Sequence, residues 1–118
     1  MHFTLEQIKR NFDLITFSRG EQYYKGNRVK SSAYDSHEGY NATVAGSGKR
    51  TYFLSLFEQQ KSLKSVCSCP VAFQCKHGVA VALSILAADK NSGYPAAQKS
   101  HDIPPLMVAA SEANRSEQ

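Results

Sequence analysis

The chain has 118 residues, of which 42% are hydrophobic and 20% are charged. This is the size of one domain with a modest core, and it is too short for a nucleotide-driven motor or a Rossmann-type enzyme. The longest strongly apolar run, residues 79–88, is about half of what a membrane-spanning helix needs, and the N-terminus lacks the pattern of a signal peptide. Composition therefore predicts a cytoplasmic module without a membrane partner, associated with the nucleoid if the source is bacterial.

The net charge of +4 is unevenly placed along the chain. Residues 1–90 hold 12 Lys/Arg and 7 Asp/Glu, whereas residues 91–118 hold 2 and 3. A mildly basic folded part suits an acidic partner such as nucleic acid, although the same balance also serves ordinary solubility.

Two short helices are predicted at the N-terminus. Thr4 and Gln7 have the spacing of a capping box ahead of an apolar stripe that ends at Phe12. Ser18 and Glu21 repeat that spacing, so a second helix is predicted over residues 18–25, with Gly26 as its C-cap.

The hydrophobic period changes to two between residues 28 and 66, which predicts an antiparallel meander. Its strands are expected at residues 29–35, 40–45, 50–57 and 61–67. In the third strand, Tyr52, Leu54 and Leu56 face one way while Phe53 and Phe57 face the other. We therefore expect this strand to be central and covered on both faces, with both phenylalanines in the core.

The segment after His77 is rich in Ala, Val and Leu, which predicts a helix over residues 78–90 that is buried nearly all round. Beyond it the periodicity disappears, and prolines and small polar residues follow. We predict a domain over residues 1–92 and a flexible tail or linker over residues 93–118. The fold class is α+β: N-terminal helices, a small antiparallel sheet, and a short Cys/His-rich loop leading into a buried helix.

The chemistry of the sequence is concentrated in residues 67–77, where the spacing is Cys-x-Cys, five residues, then Cys-x-His. Residues two apart on a strand point to the same side, so Cys67 and Cys69 can face one ion, and Pro70 can turn the chain back. With Cys75 and His77 they make a Cys₃His set, which is typical of structural Zn²⁺. All four positions would be filled by protein, so a closed site of this kind would not catalyse, and we predict no enzymatic activity.

Three alternatives remain for these residues. The cysteines can be ordinary buried hydrophobes, Cys75 and His77 can form a nucleophile pair, or the thiols can act as a redox switch that releases zinc on oxidation. An odd number of cysteines without a signal peptide argues against a disulfide framework.

These four residues and their surroundings resemble the SWIM zinc finger, whose signature is Cys-x-Cys, a spacer, then Cys-x-His in a ββα unit. Residues 17–29 (FSRGEQYYKGNRV) and the apolar helix after Cys-Lys-His also resemble the SWIM modules at the N-terminus of bacterial SWI/SNF-type helicase-like ATPases. The resemblance covers about residues 15–90, with the zinc knuckle and its helix at residues 63–90, and implies a binding module with zinc as its cofactor. It also implies a possible downstream ATPase region in a longer parent chain.

Function is predicted as recognition, with DNA as the first candidate ligand. Tyr23 and Tyr24 beside basic residues form the most plausible aromatic-basic surface, and exposed tyrosines would favour single strands. The candidate DNA contacts are Arg19, Lys25, Arg28, Lys49, Arg50, Lys64 and Lys76. The alternative is a protein–protein adaptor that does not touch nucleic acid.

Overall fold

The computed structural model describes residues 2–35, 39–89 and 92–97. The elements in chain order are α1 (Leu5–Asn11), α2 (Leu14–Lys25), β1 (Val29–Asp35), β2 (Gly39–Ala45), β3 (Thr51–Gln59), β4 (Ser62–Cys67) and α3 (Lys76–Ala88). The predicted α+β class and the buried last helix are confirmed. Within the described ranges, no helix is long and apolar enough to cross a membrane.

The four strands form one antiparallel sheet in the order β1-β2-β3-β4. Helix α3 packs against all four strands, and α1 and α2 pack against α3. Because side chains alternate along a strand, one face of the sheet enters the core through Ala42, Val44, Leu54 and Leu56. The opposite face carries no helix among the described residues.

Side-chain caps determine where the N-terminal helices begin. The Oγ1 of Thr4 accepts from the Gln7 amide at 3.2 Å, and the Thr4 amide donates to Gln7 Oε1 at 2.9 Å, so the predicted capping box of α1 is confirmed. Helix α2 begins earlier than predicted. Its N-cap is Asp13, whose Oδ1 accepts from the Thr16 amide at 2.8 Å, and Ser18 lies inside the helix.

The prediction for β3 is half right. This strand is hydrogen-bonded to β2 on one side and to β4 on the other, so it lies in the interior of the sheet. The prediction that both of its faces are covered is wrong, since the side chain of Phe53 is 65% exposed. The three helices of the described ranges pack together through α3, so none of them covers the second face.

The segment after α3 returns to α2. The rings of Tyr94 and Tyr24 lie 5.7 Å apart between centroids, and the Tyr24 hydroxyl donates to the Pro95 carbonyl at 2.6 Å. Residues 98–118, most of the predicted tail, lie outside the described residues, and the boundary after residue 92 stays a prediction.

Candidate metal centre

The four side chains of the Cys-x-Cys and Cys-x-His pairs converge in the fold. One ligand atom from each of Cys67, Cys69, Cys75 and His77 lies within 4.8 Å of the others, and all four residues are buried. Cys67 ends β4, and Cys69 lies in the loop at residues 68–75, which we call the knuckle loop. Cys75 is the N-cap of α3, and His77 is the second residue of that helix.

The knuckle loop returns the chain by pairing with the strand it has just left. The Cys67 amide donates to the Ala72 carbonyl at 2.7 Å, and Phe73 forms an antiparallel bridge with Val66. Two residues adopt the left-handed region, Ala72 at φ 71° and Gln74 at φ 46°. These two left-handed residues turn the backbone sharply enough to place Cys75 beside Cys67.

Gln74 fastens this loop to the rest of the protein. Its Oε1 accepts from the Ser65 amide at 2.6 Å, and its Nε2 donates to the carbonyls of Asn11 at 2.8 Å and Leu63 at 3.1 Å. The residue directly before Cys75 is thereby fixed to both α1 and β4.

The geometry around His77 matches a tetrahedral ion. Its Nδ1 lies 3.6 Å from the Sγ atoms of both Cys67 and Cys75. Zinc bonds of about 2.3 Å to sulfur and about 2.0–2.1 Å to nitrogen, opened to a tetrahedral angle, separate the two ligand atoms by about 3.6 Å. The atom facing the thiols is therefore Nδ1, while Nε2 is buried with no hydrogen-bond partner among the described residues.

Two tyrosines hold the imidazole in place. The Tyr23 ring meets it edge-on, with centroids 5.1 Å apart and planes at 78°, and the Tyr52 ring lies 4.7 Å away at 37°. Tyr52 reaches this position because Gly46 lies opposite: a Cβ there would come within 2.3 Å of the tyrosine ring. Aromatic packing takes the place that a hydrogen bond to Nε2 holds in many metal sites.

A hydrogen bond between the thiols of Cys67 and Cys75 shifts their two pKa values in opposite directions. The hydrogen bond from Cys67 lowers the pKa of the Cys75 thiol to about 4. Burial alone would raise this pKa, whereas His77 and the Gly78 amide lower it further. The same bond, together with burial, raises the pKa of Cys67. The lowered pKa favours the thiolate form of Cys75, which is the form that binds a metal.

A Zn²⁺ ion with three thiolates and a neutral imidazole carries a formal charge of −1. Two cations lie close enough to balance it. The Nζ of Lys76 and the guanidinium carbon of Arg28 each lie 5.0 Å from the centroid of the Tyr23 ring, which itself contacts His77. The N-terminus of α3 adds its positive dipole end. The donor set, the geometry and the surrounding charge all fit a structural zinc ion.

The structure separates the predicted DNA contacts into groups. Arg28, Lys76, Lys49 and Arg50 surround one corner, where Arg28 donates to the carbonyls of Ala45 (3.0 Å) and Gly46 at the base of the β2–β3 turn. The remaining three lie elsewhere. Arg19 is exposed on α2, Lys25 pairs with Glu21 at 4.0 Å, and Lys64 lies on the uncovered face of the sheet.

The predicted tyrosine surface is present only in part, since Arg28 lies over the Tyr23 ring whereas the Tyr24 ring is buried. Tyr24 is 6% exposed, and its hydroxyl is bonded to Pro95. Tyr23 is half-buried between His77 and the two cations. Both rings pack within the fold. Helix α2 lies directly on α3, and the segment after α3 packs against Tyr24 through Tyr94 and Pro95.

Sequence reasoning missed the supporting residues of this site. Gln74 and Tyr52 carry no motif, and only their positions, next to a ligand and opposite a glycine, mark them in the structure. Gly78 is a third case: a Cβ there would come within 2.3 Å of the Ser65 Oγ, so α3 can approach β4 only with glycine at this place. A glycine directly after Cys-x-His was the available signal.

These features define a small α+β module built around a Cys₃His centre. Residues 49–86 match the SWIM zinc finger family model, a stretch that runs from the β2–β3 turn through the knuckle loop into α3. A comparison with curated proteins found no match, and neither did a comparison with solved structures. The family match and the buried cluster together support Zn²⁺ binding, and the family consists of binding modules.

Proposed function

We propose that this chain is a zinc-stabilised recognition module that binds DNA through the corner beside its metal centre. Zinc would be held by Cys67, Cys69, Cys75 and the Nδ1 of His77, and when bound it supplies a rigid cross-link between β4 and α3. The observation that carries the proposal is the pair of cations, Arg28 and Lys76, on the Tyr23 ring that packs against His77.

The four cations at this site form what we call the basic corner: Arg28, Lys49, Arg50 and Lys76. Lys49 and Arg50 are exposed at the tip of the β2–β3 turn, and Lys76 begins α3. Arg28 joins the two parts, since its guanidinium contacts both the turn and Tyr23. An intact metal centre thus fixes where the positive charge is presented.

Binding through this corner is expected to depend on charge rather than on base sequence. About four phosphate contacts give a log–log salt slope near −3.6 on duplex DNA. Helix α3 is buried along most of its length, from His77 to Leu83 and again at Leu86, so it cannot enter a major groove.

The test is a titration of labelled DNA at two salt concentrations with charge-reversal variants. Lys49→Glu with Arg50→Glu should weaken binding strongly and flatten the salt slope, because two contacts are reversed. The matched control is Lys9→Glu with Arg10→Glu, which reverses an equally exposed, adjacent Lys-Arg pair in the last turn of α1. Equal losses in the two proteins, or no binding at low salt with zinc loaded, would contradict the proposal.

A protein-adaptor function is the second candidate, and one surface favours it. Leu14 and Ile15, side by side in the first turn of α2, are 83% and 65% exposed. Two neighbouring exposed aliphatic side chains suit a protein contact. The resemblance to modules of helicase-like ATPases extends the proposal to targeting such an enzyme, and Leu14→Ser with Ile15→Ser should abolish that targeting without changing zinc content.

A further inference from the structure

The uncovered face of the sheet presents three rows of side chains across its strands. The central row runs from Ala33 through Asn41 and Ser55 to Val66, as the strand register shows. The row towards the β2–β3 turn contains Ser31, Thr43 and Phe53, and Ser68 extends it, since its Oγ accepts from the Phe53 amide at 2.9 Å. The row at the other end contains Asp35, Phe57 and Lys64.

Exposed rings and branched side chains collect at one corner of this face. Phe53 is 65% exposed and Phe73, in the knuckle loop, is 67% exposed. Val66, which bridges to Phe73, is 38% exposed between them. Large aromatic side chains are normally turned inward in a protein of this size, so two open rings on one surface indicate a ligand that uses them.

The rest of the face is polar without being strongly charged. Ser31 and Thr43 hydroxyls are 2.7 Å apart, and the Ser55 hydroxyl donates to Asn41 Oδ1 at 2.9 Å. A shallow depression between β2 and β3 exposes these groups beside Phe53. Rings next to amides and hydroxyls are the chemistry that receives unpaired bases, which offer a flat face and a polar edge.

We propose that this uncovered sheet face is a platform for single-stranded nucleic acid, on which Phe53 and Phe73 stack with bases. The proposal rests on the proposed function for its electrostatic part, because the basic corner supplies the phosphate contacts. Arg50 directly precedes β3, three residues before Phe53, so about 10 Å of strand separates the two. A strand whose phosphates lie along Lys49 and Arg50 can therefore place its bases on the rings.

The charge around the platform agrees with this orientation. Lys49 and Arg50 lie at the end of the face that carries Phe53, and Lys64 lies at the far end. Asp35 is the acidic residue among the described outward positions of the strands, and it is in the far row with Lys64. The half of the face that carries the exposed rings is thus the half that attracts phosphate.

The experiment compares binding of labelled single strands of about 16 nucleotides, dT or U, with binding of a duplex of equal length. Phe53→Leu and Phe73→Leu keep apolar bulk but remove the ring, so each should weaken single-strand binding about tenfold while leaving duplex binding unchanged. Phe53→Tyr keeps the ring and should bind like the parent protein. Tyr34→Leu, which removes an exposed ring from the other face of β1, is the matched control, and zinc content verifies each fold.

A fluorescence measurement reads the contact directly. The chain contains no tryptophan, so Phe53→Trp gives a single reporter whose emission should be quenched by single strands and much less by duplex. Unchanged single-strand affinity in both Leu variants overturns the platform. The proposed function would still stand in that case if Lys49→Glu with Arg50→Glu weakened duplex binding. Loss in Phe53→Tyr equal to that in Phe53→Leu also overturns stacking, and a protein partner then becomes the better occupant. Absence of any nucleic-acid binding overturns both proposals.

Discussion

The side-chain amide of Gln74 donates a 2.8 Å hydrogen bond to the main-chain carbonyl of Asn11, 63 residues earlier in the sequence. That carbonyl belongs to the last residue of α1, where helix carbonyls have no partner within the helix. The residue that precedes a metal ligand therefore also completes the end of the first helix. Order in α1 and order in the knuckle loop depend on one side chain.

Replacing Gln74 by Ala should destabilise the zinc-loaded protein by about 2 kcal/mol, because the Ser65 amide and two carbonyls lose their partner in a partly buried place. Chemical denaturation measures the change. Gln22→Ala is the control, since Gln22 is exposed on α2 and alanine favours helix there. A loss in the control equal to that in Gln74→Ala would contradict the assignment.

Zinc removal should unfold the protein. A site that exists only in the folded chain makes metal-binding free energy part of folding free energy. We expect about one zinc per chain, loss of near-ultraviolet circular dichroism on chelation, and the same loss for Cys75→Ser. A metal-free protein that keeps its tertiary signal would refute this.

Ser68→Ala is the matched change within the same loop. The Ser68 hydroxyl accepts from the Phe53 amide at 2.9 Å but is not a ligand. We expect a loss of about 1 kcal/mol with unchanged zinc content.

Gly20→Ala should push α2 away from α3 and destabilise the fold. A Cβ at Gly20 would lie 2.3 Å from the Val79 Cβ and 2.7 Å from the Lys76 carbonyl oxygen, so the helices must move apart. Overpacking of this kind costs about 1–3 kcal/mol, despite the better helix propensity of alanine. Val79→Ala in the same protein removes the nearest methyl groups, and a double-mutant cycle should show that part of the loss is recovered. Strict additivity of the two changes would contradict the contact.

Docking of the segment after α3 should weaken at alkaline pH. Burial, followed by the charge of Glu21 and the neighbouring Tyr24, raises the pKa of Tyr94 from 10.0 to about 12. A folded pKa above the unfolded value means that the neutral form is favoured by folding. The contribution of neutral Tyr94 to stability is therefore complete below about pH 10 and is lost as the pH rises through about 12. Tyrosinate absorbance, taken as the difference between the parent and Tyr94→Phe, should titrate late, and a midpoint near 10 would contradict the packing.

Local signals in the sequence predicted most of the fold. The capping box at Thr4 depends only on two residues three positions apart, and the strands follow from an alternation of side chains with a period of two, so both were predicted. The start of α2 was misplaced because Ser18 and Asp13 carry equally good capping groups. The exposed Leu14 and Ile15 also hid the amphipathic pattern at the true start.

What could not be predicted depends on contacts between distant segments. Whether Phe53 is covered is decided by the number of helices available for the second face, which strand periodicity does not contain. The role of Gln74 depends on Asn11 and Ser65, from two different elements. The Cys/His spacing, by contrast, lies within eleven residues and could be interpreted from the sequence alone.

The dependence of α1 and α2 on α3 has a consequence for synthesis on the ribosome. Each strand of the sheet pairs with the strand made just before it, so the sheet can form as the chain emerges. The two N-terminal helices pack against α3, which is made last among the described elements. At about 5–20 residues per second, the 63 residues between the ends of α2 and α3 take about 3–13 s to translate, and for that time α2 lacks the helix against which it mainly packs. Cys75 and His77 emerge at the start of α3, so metal capture and closure of the helical layer belong to the same late moment of synthesis.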